Sequence, residues 1–75
     1  MKAVKINESK VKSVIFRENG GNANNIWVYV VQDIYYQDEY QGQQFLYELG
    51  SYSSMKSAVR FAAKKLSKMG MTFNI

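Results

Sequence analysis

The stretch that decides the fold is NIWVYVVQDIYY, residues 25–36. In an extended strand, alternate side chains point to opposite faces of a sheet. One alternating set is mainly aliphatic and comprises Ile26, Val28, Val30, Gln32 and Ile34. The other set carries the aromatic rings and comprises Trp27, Tyr29, Val31, Asp33 and Tyr35. The segment therefore predicts a central strand, 26–36, with a core face on one side and an aromatic face on the other.

Apolar segments on either side of this strand predict an antiparallel sheet. Residues 3–6 and 11–17 are expected to form either two strands joined by a turn or one bent strand. The segment ENGGNANN, residues 18–25, predicts a hairpin loop because Gly and Asn tolerate positive φ. The polar segment QDEYQG, residues 37–42, predicts the next turn. Residues 43–49 then predict another strand, which the following Gly-Ser-Tyr segment interrupts.

A helix is expected after the sheet. Ser53 or Ser54 is a suitable N-cap, the helix is expected to end near Met69, and Gly70 suits the left-handed position that closes a helix. Residues 71–75 could add a short edge strand. At the helical period, the side that faces the sheet contains Met55, Ala58, Val59, Ala62, Leu66 and Met69.

These elements predict an α+β fold. It is a small antiparallel sheet of three to four strands followed by one C-terminal helix packed on one face, in the order ββ(β)βα. The length predicts a single domain, 1–75. A chain of this size buries only about 60% of its unfolded surface. Because there is no cysteine to form a disulfide, oligomerisation is the remaining common way to enlarge the core.

Several kinds of chemistry are excluded by composition. The chain has no His and no Cys, so it cannot build a Ser–His or Cys–His nucleophile or a nitrogen- or sulfur-ligated metal site. An oxygen-only metal site could in principle use Asp33, Asp38, Glu39 and Glu48, but a solvated acidic loop is the simpler interpretation. The sequence therefore predicts a protein that is not an enzyme and that uses no metal or cofactor.

Charge is unevenly distributed along the chain. Residues 1–12 carry a net charge of +3, residues 13–50 a net charge of −4, and residues 51–75 a net charge of +5. This pattern predicts either a polyanionic partner or contact between copies of the chain. The side of the expected helix opposite the sheet carries a basic row with four-residue spacing: Lys56, Arg60, Lys64 and Lys68. The row is either a solvated surface or a set of phosphate contacts.

The aromatic face has three possible interpretations. One helix cannot cover both faces of a sheet, so the rings Trp27, Tyr29 and Tyr35 pack under the helix or under loops, meet a second copy, or remain open. A second copy on this face would make a homodimer, whereas an open face would be a platform on which nucleic-acid bases stack. Phe45 and Tyr47 on the neighbouring strand could join either face.

The segment GSYSSMKSAVRFAAKKLSKMG, residues 50–70, resembles the end of a double-stranded-RNA-binding domain. Gly50, Ser54 and Lys56 resemble the Gly, Ser and Lys at the start of that family's last helix, and the pair at 62–63 resembles its Ala pair. The first helix of the family is missing, and its lysine cluster is reduced to Lys56. The size and composition also resemble small phage-encoded host-takeover or anti-defence proteins, including anti-CRISPRs.

The sequence thus favours a small non-enzymatic nucleic-acid-binding protein, with DNA or RNA as its partner. The alternative is a phage-type protein–protein inhibitor, anti-CRISPR-like or acting in host takeover, that binds a host protein handling nucleic acid. A third hypothesis is a structural or oligomerising module. Residues with A/T-rich codons make up 33 of the 75, which suggests a low-GC bacterium or its phages. MKAVKINESK has no apolar signal-peptide core, so a cytoplasmic protein without a membrane partner is expected.

Overall fold

The computed structural model describes residues 2–75 and shows one antiparallel sheet followed by one helix, which confirms the predicted α+β class. The elements are β1 (Lys2–Lys5), β2 (Lys12–Glu18), β3 (Ile26–Tyr36), β4 (Glu39–Tyr52) and α1 (Met55–Lys68). A short 3₁₀ turn, Asn19–Gly21, lies in the loop between β2 and β3. The strands follow one another in the order β1-β2-β3-β4. The 26–36 strand is therefore central, as predicted.

The N-terminal segments form two separate strands. Strands β1 and β2 pair antiparallel, and Lys5 lies opposite Ser13 at the end of the ladder nearest the turn. The Ser9 hydroxyl accepts hydrogen bonds from the N–H groups of Val11 and Lys12, both at 3.2 Å. These bonds stabilise the turn, because a serine side chain can satisfy backbone donors that a reversal of the chain leaves without a partner.

The turn between β3 and β4 is shorter than predicted. The sequence suggested a turn over residues 37–42, but only Gln37 and Asp38 leave the ladder, and Tyr36 already pairs with Glu39. Both turn residues have positive φ, 50° and 66°. A two-residue turn of this kind matches the right-handed twist of the strands that it joins. Strand β4 also continues through Gly50, where the sequence predicted a break.

Irregular pairing along β4 decides where its aromatic side chains lie. The register between β3 and β4 shifts at three places, and one of them leaves Leu46 as an extra residue on β4. Val30 therefore pairs with Tyr47, whereas the next residue, Val31, pairs with Phe45. Regular alternation would have placed Phe45 and Tyr47 on the same face. The bulge separates them, because an extra residue reverses the alternation of a strand.

The helix packs on the aliphatic face of the sheet. The buried core is made of one sheet face and the inner side of α1: Val4, Ile6, Val14, Phe16, Ile26, Val28, Val30, Leu49, Ala58, Ala62 and Leu66. Of the alternatives left open by the sequence, packing of the rings beneath the helix is therefore wrong. The ring-bearing set of β3 lies on the opposite face.

Both ends of α1 are capped as predicted. The Ser54 hydroxyl accepts a hydrogen bond from the Ser57 N–H at the first turn. At the other end, Gly70 has a φ of 77°, and the N–H groups of Gly70 and Met71 donate to carbonyls of the last turn. Met69 was expected to face the sheet, but it is the C-cap and is 50% exposed.

No helix among residues 2–75 is long and apolar enough to cross a membrane.

The C-terminal residues dock on the sheet without adding a strand. The predicted edge strand is reduced to a single bridge between Phe73 and Ile6, and the Phe73 ring packs against Phe16 with the ring centroids 6.0 Å apart. The Glu8 carboxylate accepts hydrogen bonds from the Thr72 N–H at 2.8 Å and from the Thr72 hydroxyl at 2.7 Å. These two bonds lower the pKa of Glu8 below its ordinary value.

The resemblance to a double-stranded-RNA-binding domain does not extend beyond the helix. Gly50 lies inside β4 rather than at the start of α1. Within residues 2–75 no helix precedes the sheet.

Candidate interaction surfaces

The outward side of α1 carries the predicted basic row. Its four members are all exposed and will be called the basic face: Lys56, Arg60, Lys64 and Lys68. Ala58, Ala62 and Leu66 are buried on the opposite side of the same helix, so the basic face points away from the sheet. At about 1.5 Å per residue, the row extends for about 18 Å along the helix.

No carboxylate neutralises the basic face. Among residues 2–75, the ion pair within 4.0 Å is between Lys5 and Asp33, which lie on the other side of the molecule. Lys65 is also on α1, but its ammonium donates to the Leu49 carbonyl at 2.6 Å and so ties the helix to β4. The Arg60 guanidinium carbon lies 5.0 Å from the centre of the neighbouring Phe61 ring. The basic face is therefore available to an anionic partner.

On the opposite side of the sheet, three rings form a compact group, which will be called the aromatic cluster. The centroids of Trp27 and Tyr29 are 4.2 Å apart, and Phe45 lies 6.2 Å from Trp27 and 5.9 Å from Tyr29. Phe45 on β4 pairs with Val31, which follows Tyr29 by two residues on the same face of β3. The two neighbouring strands therefore bring the three rings together. Phe45 is the most exposed of the three, at 52%.

A small apolar layer lies beneath the aromatic cluster. Ile15 and Val31 are 1% and 4% exposed, and Ser13 is 6% exposed, although no helix lies on this face. The indole N–H of Trp27 is also buried and has no hydrogen-bond partner. The rings therefore cover part of this sheet face themselves. For this reason both faces of the sheet have buried apolar residues, although α1 covers only one of them.

Tyr35 is not part of the aromatic cluster. It lies near the β3–β4 turn, where its ring meets Tyr40 edge-on with the centroids 5.7 Å apart. The prediction grouped Tyr35 with Trp27 and Tyr29 because all three share one alternation of β3. The member that the sequence left undecided, Phe45, joins them instead. Its side of the sheet depends on the bulge at Leu46, which no local signal in the sequence marks.

Charges of both signs surround the aromatic cluster. Lys5 and Arg17 come from β1 and β2, and Asp33 and Glu48 come from β3 and β4. Asp33 accepts hydrogen bonds from the Gln43 amide at 3.1 Å and the Lys5 ammonium at 3.2 Å. The Gln43 bond and then Lys5 lower the pKa of Asp33, so this carboxylate is ionised at neutral pH. The four charges on this face sum to zero, unlike those on the helix.

The acidic side chains do not converge. Asp38 and Glu39 lie at the β3–β4 turn, whereas Asp33 is held by Gln43 and Lys5 further along the sheet. In the part of the chain that the structure describes, no group of three or more carboxylates could hold a metal ion. The same residues enclose no pocket for a small molecule. The molecule therefore offers surfaces rather than a cavity.

The two candidate surfaces face in opposite directions. The basic face lies outside α1, and the aromatic cluster lies on the sheet face that α1 leaves uncovered. One flat partner therefore cannot contact both surfaces of the same copy. In comparison with known proteins, no family model, no curated protein and no solved structure matches the chain, so both surfaces are interpreted from their own geometry.

Proposed function

We propose that this chain is a small non-enzymatic nucleic-acid-binding protein that contacts phosphates through its basic face. The observation that carries the proposal is the row of four exposed cations on α1 with no carboxylate within ion-pairing distance among residues 2–75. The proposal places the protein in the cytoplasm of a bacterial or phage-infected cell, as a homodimer, with DNA or RNA as its partner.

The arrangement of α1 favours this function over simple solubility. Like charges four residues apart on a helix destabilise it by a few tenths of a kcal/mol per pair, whereas glutamates at that spacing would stabilise it. The helix contains no acidic residue, and residues 51–75 as a whole carry a charge of +5. Phosphates would relieve this repulsion and release counterions as they bind.

The dimensions suit a phosphate backbone. A row of about 18 Å spans roughly five phosphates of one strand, which are spaced by about 3.4 Å along the axis. Four exposed residues lie between the cations: Phe61, Ala63, Lys65 and Ser67. Ala63 and Ser67 are small, the Phe61 ring stacks on Tyr52, and Lys65 donates to the Leu49 carbonyl, so they offer little to read base edges. Binding is therefore expected to be independent of sequence and strongly dependent on salt.

The test measures the affinity of the protein for a labelled duplex at several salt concentrations. The variant carrying Lys64→Glu and Lys68→Glu should bind more weakly, and its log–log salt slope should fall by about 2, because two phosphate contacts are lost. The matched control carries Lys2→Glu and Lys10→Glu, which change the net charge equally at exposed positions away from α1. Equal losses in both variants, or no loss in the first, would reject the phosphate role.

The aromatic cluster supports a second candidate function, the phage-type inhibitor of a host protein. Trp, Tyr and Phe are enriched at protein interfaces, and Trp27, Tyr29 and Phe45 form a partly exposed group with mixed charges around it. This candidate predicts that the purified protein captures one host protein at fixed stoichiometry after nuclease treatment. It also predicts that Phe45→Ser abolishes the capture. If everything that the protein captures is lost on nuclease treatment, the result would favour the nucleic-acid proposal.

A further inference from the structure

We infer that the aromatic cluster is the contact surface for a second copy of this chain, related by a twofold axis that runs along the strands between β2 and β3. In this dimer the two basic faces point in opposite directions. The dimer would therefore bridge two separate segments of nucleic acid. The bridging step rests on the proposed function, whereas the interface itself does not.

The charge on the aromatic face favours a protein surface over nucleic acid. Proteins that bind single strands combine stacking rings with a positively charged groove. Here Arg17 and Glu48 are exposed with opposite signs, and Lys5 is paired with Asp33. The rings also contact one another rather than standing apart. A neutral face with a buried apolar centre is typical of a contact between proteins.

The positions of these charges are self-complementary. The two cations lie on β1 and β2, and the two anions lie on β3 and β4. A twofold axis along the strands between β2 and β3 places the β1–β2 half of one copy over the β3–β4 half of the other. Arg17, which pairs with Trp27 in its own sheet, then lies over Trp27 and within reach of Glu48 of the second copy. The contact between Arg17 and Glu48 would form twice, once on each side of the axis.

The size of the face is that of a small protein contact. With strands of 4, 7, 11 and 14 residues, about 3.3 Å per residue and about 4.8 Å apart, the sheet face measures roughly 570 Å² per copy. Because the short strands β1 and β2 limit the overlap, two copies would bury less than about 1,200 Å², the size of a weak specific interface. The contact would also join two apolar layers, each containing Ile15 and Val31, into one larger core. This is the means by which a short chain without disulfides can enlarge its core.

The dimer sets the distance between the basic faces. Each copy has a smallest dimension of 19 Å, and the sheets of two copies would stack face to face with both helices outside. The two basic faces would thus lie roughly 40 Å apart and face away from each other. A single straight duplex cannot touch both. Two segments can be held at once, one on each side.

The interface is tested first without nucleic acid. Sedimentation at micromolar concentration should give twice the chain mass of 8.7 kDa. Phe45→Ser should weaken dimerisation roughly tenfold or more, because it removes the most exposed ring of the aromatic cluster. Tyr36→Ser is the matched control, because Tyr36 is 67% exposed but lies on the other alternation of β3. A monomer at 100 μM, or equal effects of the two variants, would overturn the inference.

A charge exchange tests the orientation of the two copies. Arg17→Glu alone and Glu48→Arg alone should each weaken the dimer, since each places like charges opposite each other. The double variant should restore dimerisation to within about threefold of the unmodified protein. This pattern cannot arise from a folding defect, because the double variant carries both changes. Failure of the double variant to recover would overturn the proposed axis.

Bridging is tested with one duplex immobilised and a second duplex labelled in solution. The unmodified protein should retain the labelled duplex, and Phe45→Ser should bind the immobilised duplex without retaining the other. Retention by Phe45→Ser, or none by the unmodified dimer bound to the first duplex, would reject bridging. A dimer that passes the charge exchange but binds no duplex would reject the proposed function and leave the interface established.

Discussion

At the scale of single residues, Gly50 shows why β4 can continue where its sequence suggests an end. Its φ of 127° is a conformation that side chains rarely adopt. A Cβ at this position would lie 2.8 Å from the Tyr52 hydroxyl oxygen. That hydroxyl donates to the Leu49 carbonyl at 2.8 Å, and the Tyr52 ring stacks on Phe61 with 5.3 Å between centroids. The glycine thus makes room for a contact between β4 and α1.

Gly50→Ala should therefore destabilise the protein more than Gly42→Ala. Both glycines have similar φ, 127° and 123°, so both variants incur backbone strain of about 1–3 kcal/mol. Only Gly50→Ala also displaces Tyr52, since nothing lies within 4 Å of a Cβ at Gly42. Urea unfolding of the two variants measures the difference. Equal midpoints would show that the Tyr52 contact contributes nothing.

Glu8 makes the docking of the C-terminal tail sensitive to acid. Its pKa in the folded state lies below the ordinary value of 4.5, because its ionised carboxylate accepts two hydrogen bonds from Thr72. The stabilisation is complete above the ordinary value and is lost as the pH falls through the lower, folded-state pKa. The Thr72 amide signal in NMR should report release of the tail over that range. Glu8→Gln, which cannot ionise, should remove this pH dependence.

At the scale of elements, α1 depends on its first cap because its sequence has no acidic residue to complement the helix N-terminus. Ser54→Ala removes the hydroxyl that accepts from the Ser57 N–H and should cost about 1 kcal/mol of unfolding free energy. The neighbouring exposed residue provides the control, and Ser53→Ala should change stability by less than about 0.5 kcal/mol. Thermal unfolding followed by circular dichroism compares them. A larger loss of stability for Ser53→Ala than for Ser54→Ala would show that Ser54 is not the N-cap.

The bulges of β4 have a consequence for the whole sheet. They place Leu46, Tyr47 and Leu49 against the helix-side core, while Phe45 is sent to the other face. A regular strand would place Phe45, Tyr47 and Leu49 on one face and Leu46 on the other. The irregular strand therefore strengthens the core and completes the aromatic cluster at the same time.

At the scale of the whole molecule, the chain's only tryptophan reports on the uncovered face. Trp27 emission should shift to the blue as protein concentration rises through the range of dimerisation, because a second copy would exclude water from the partly exposed ring. It should not respond to oligonucleotides bound at the basic face. Phe45→Ser should keep the emission constant with concentration. Red emission that does not vary with concentration and is quenched by single strands in a salt-dependent way would instead indicate a stacking platform.

Much of the fold could be predicted because its signals are local. Alternation over residues 26–36 predicted the central strand, and the Asn- and Gly-rich segment predicted the hairpin before it. The caps of α1 and its buried residues followed from serine and glycine chemistry and from the helical period. The basic face followed from the same period, and all four residues are exposed in the structure.

The sequence by itself therefore determined the fold class, the order of sheet and helix and the basic side of the helix, because each depends on residues close together in the chain. Only the tertiary structure decided which sheet face the helix covers, where Phe45 lies and how the C-terminal tail docks. The physical reason is packing. Ala58 and Ala62 bring α1 close to the sheet, where they form one core with Val28, Val30 and Phe16. With the helix on that side, the alternation of β3 places Trp27 and Tyr29 on the opposite face, where Phe45 joins them.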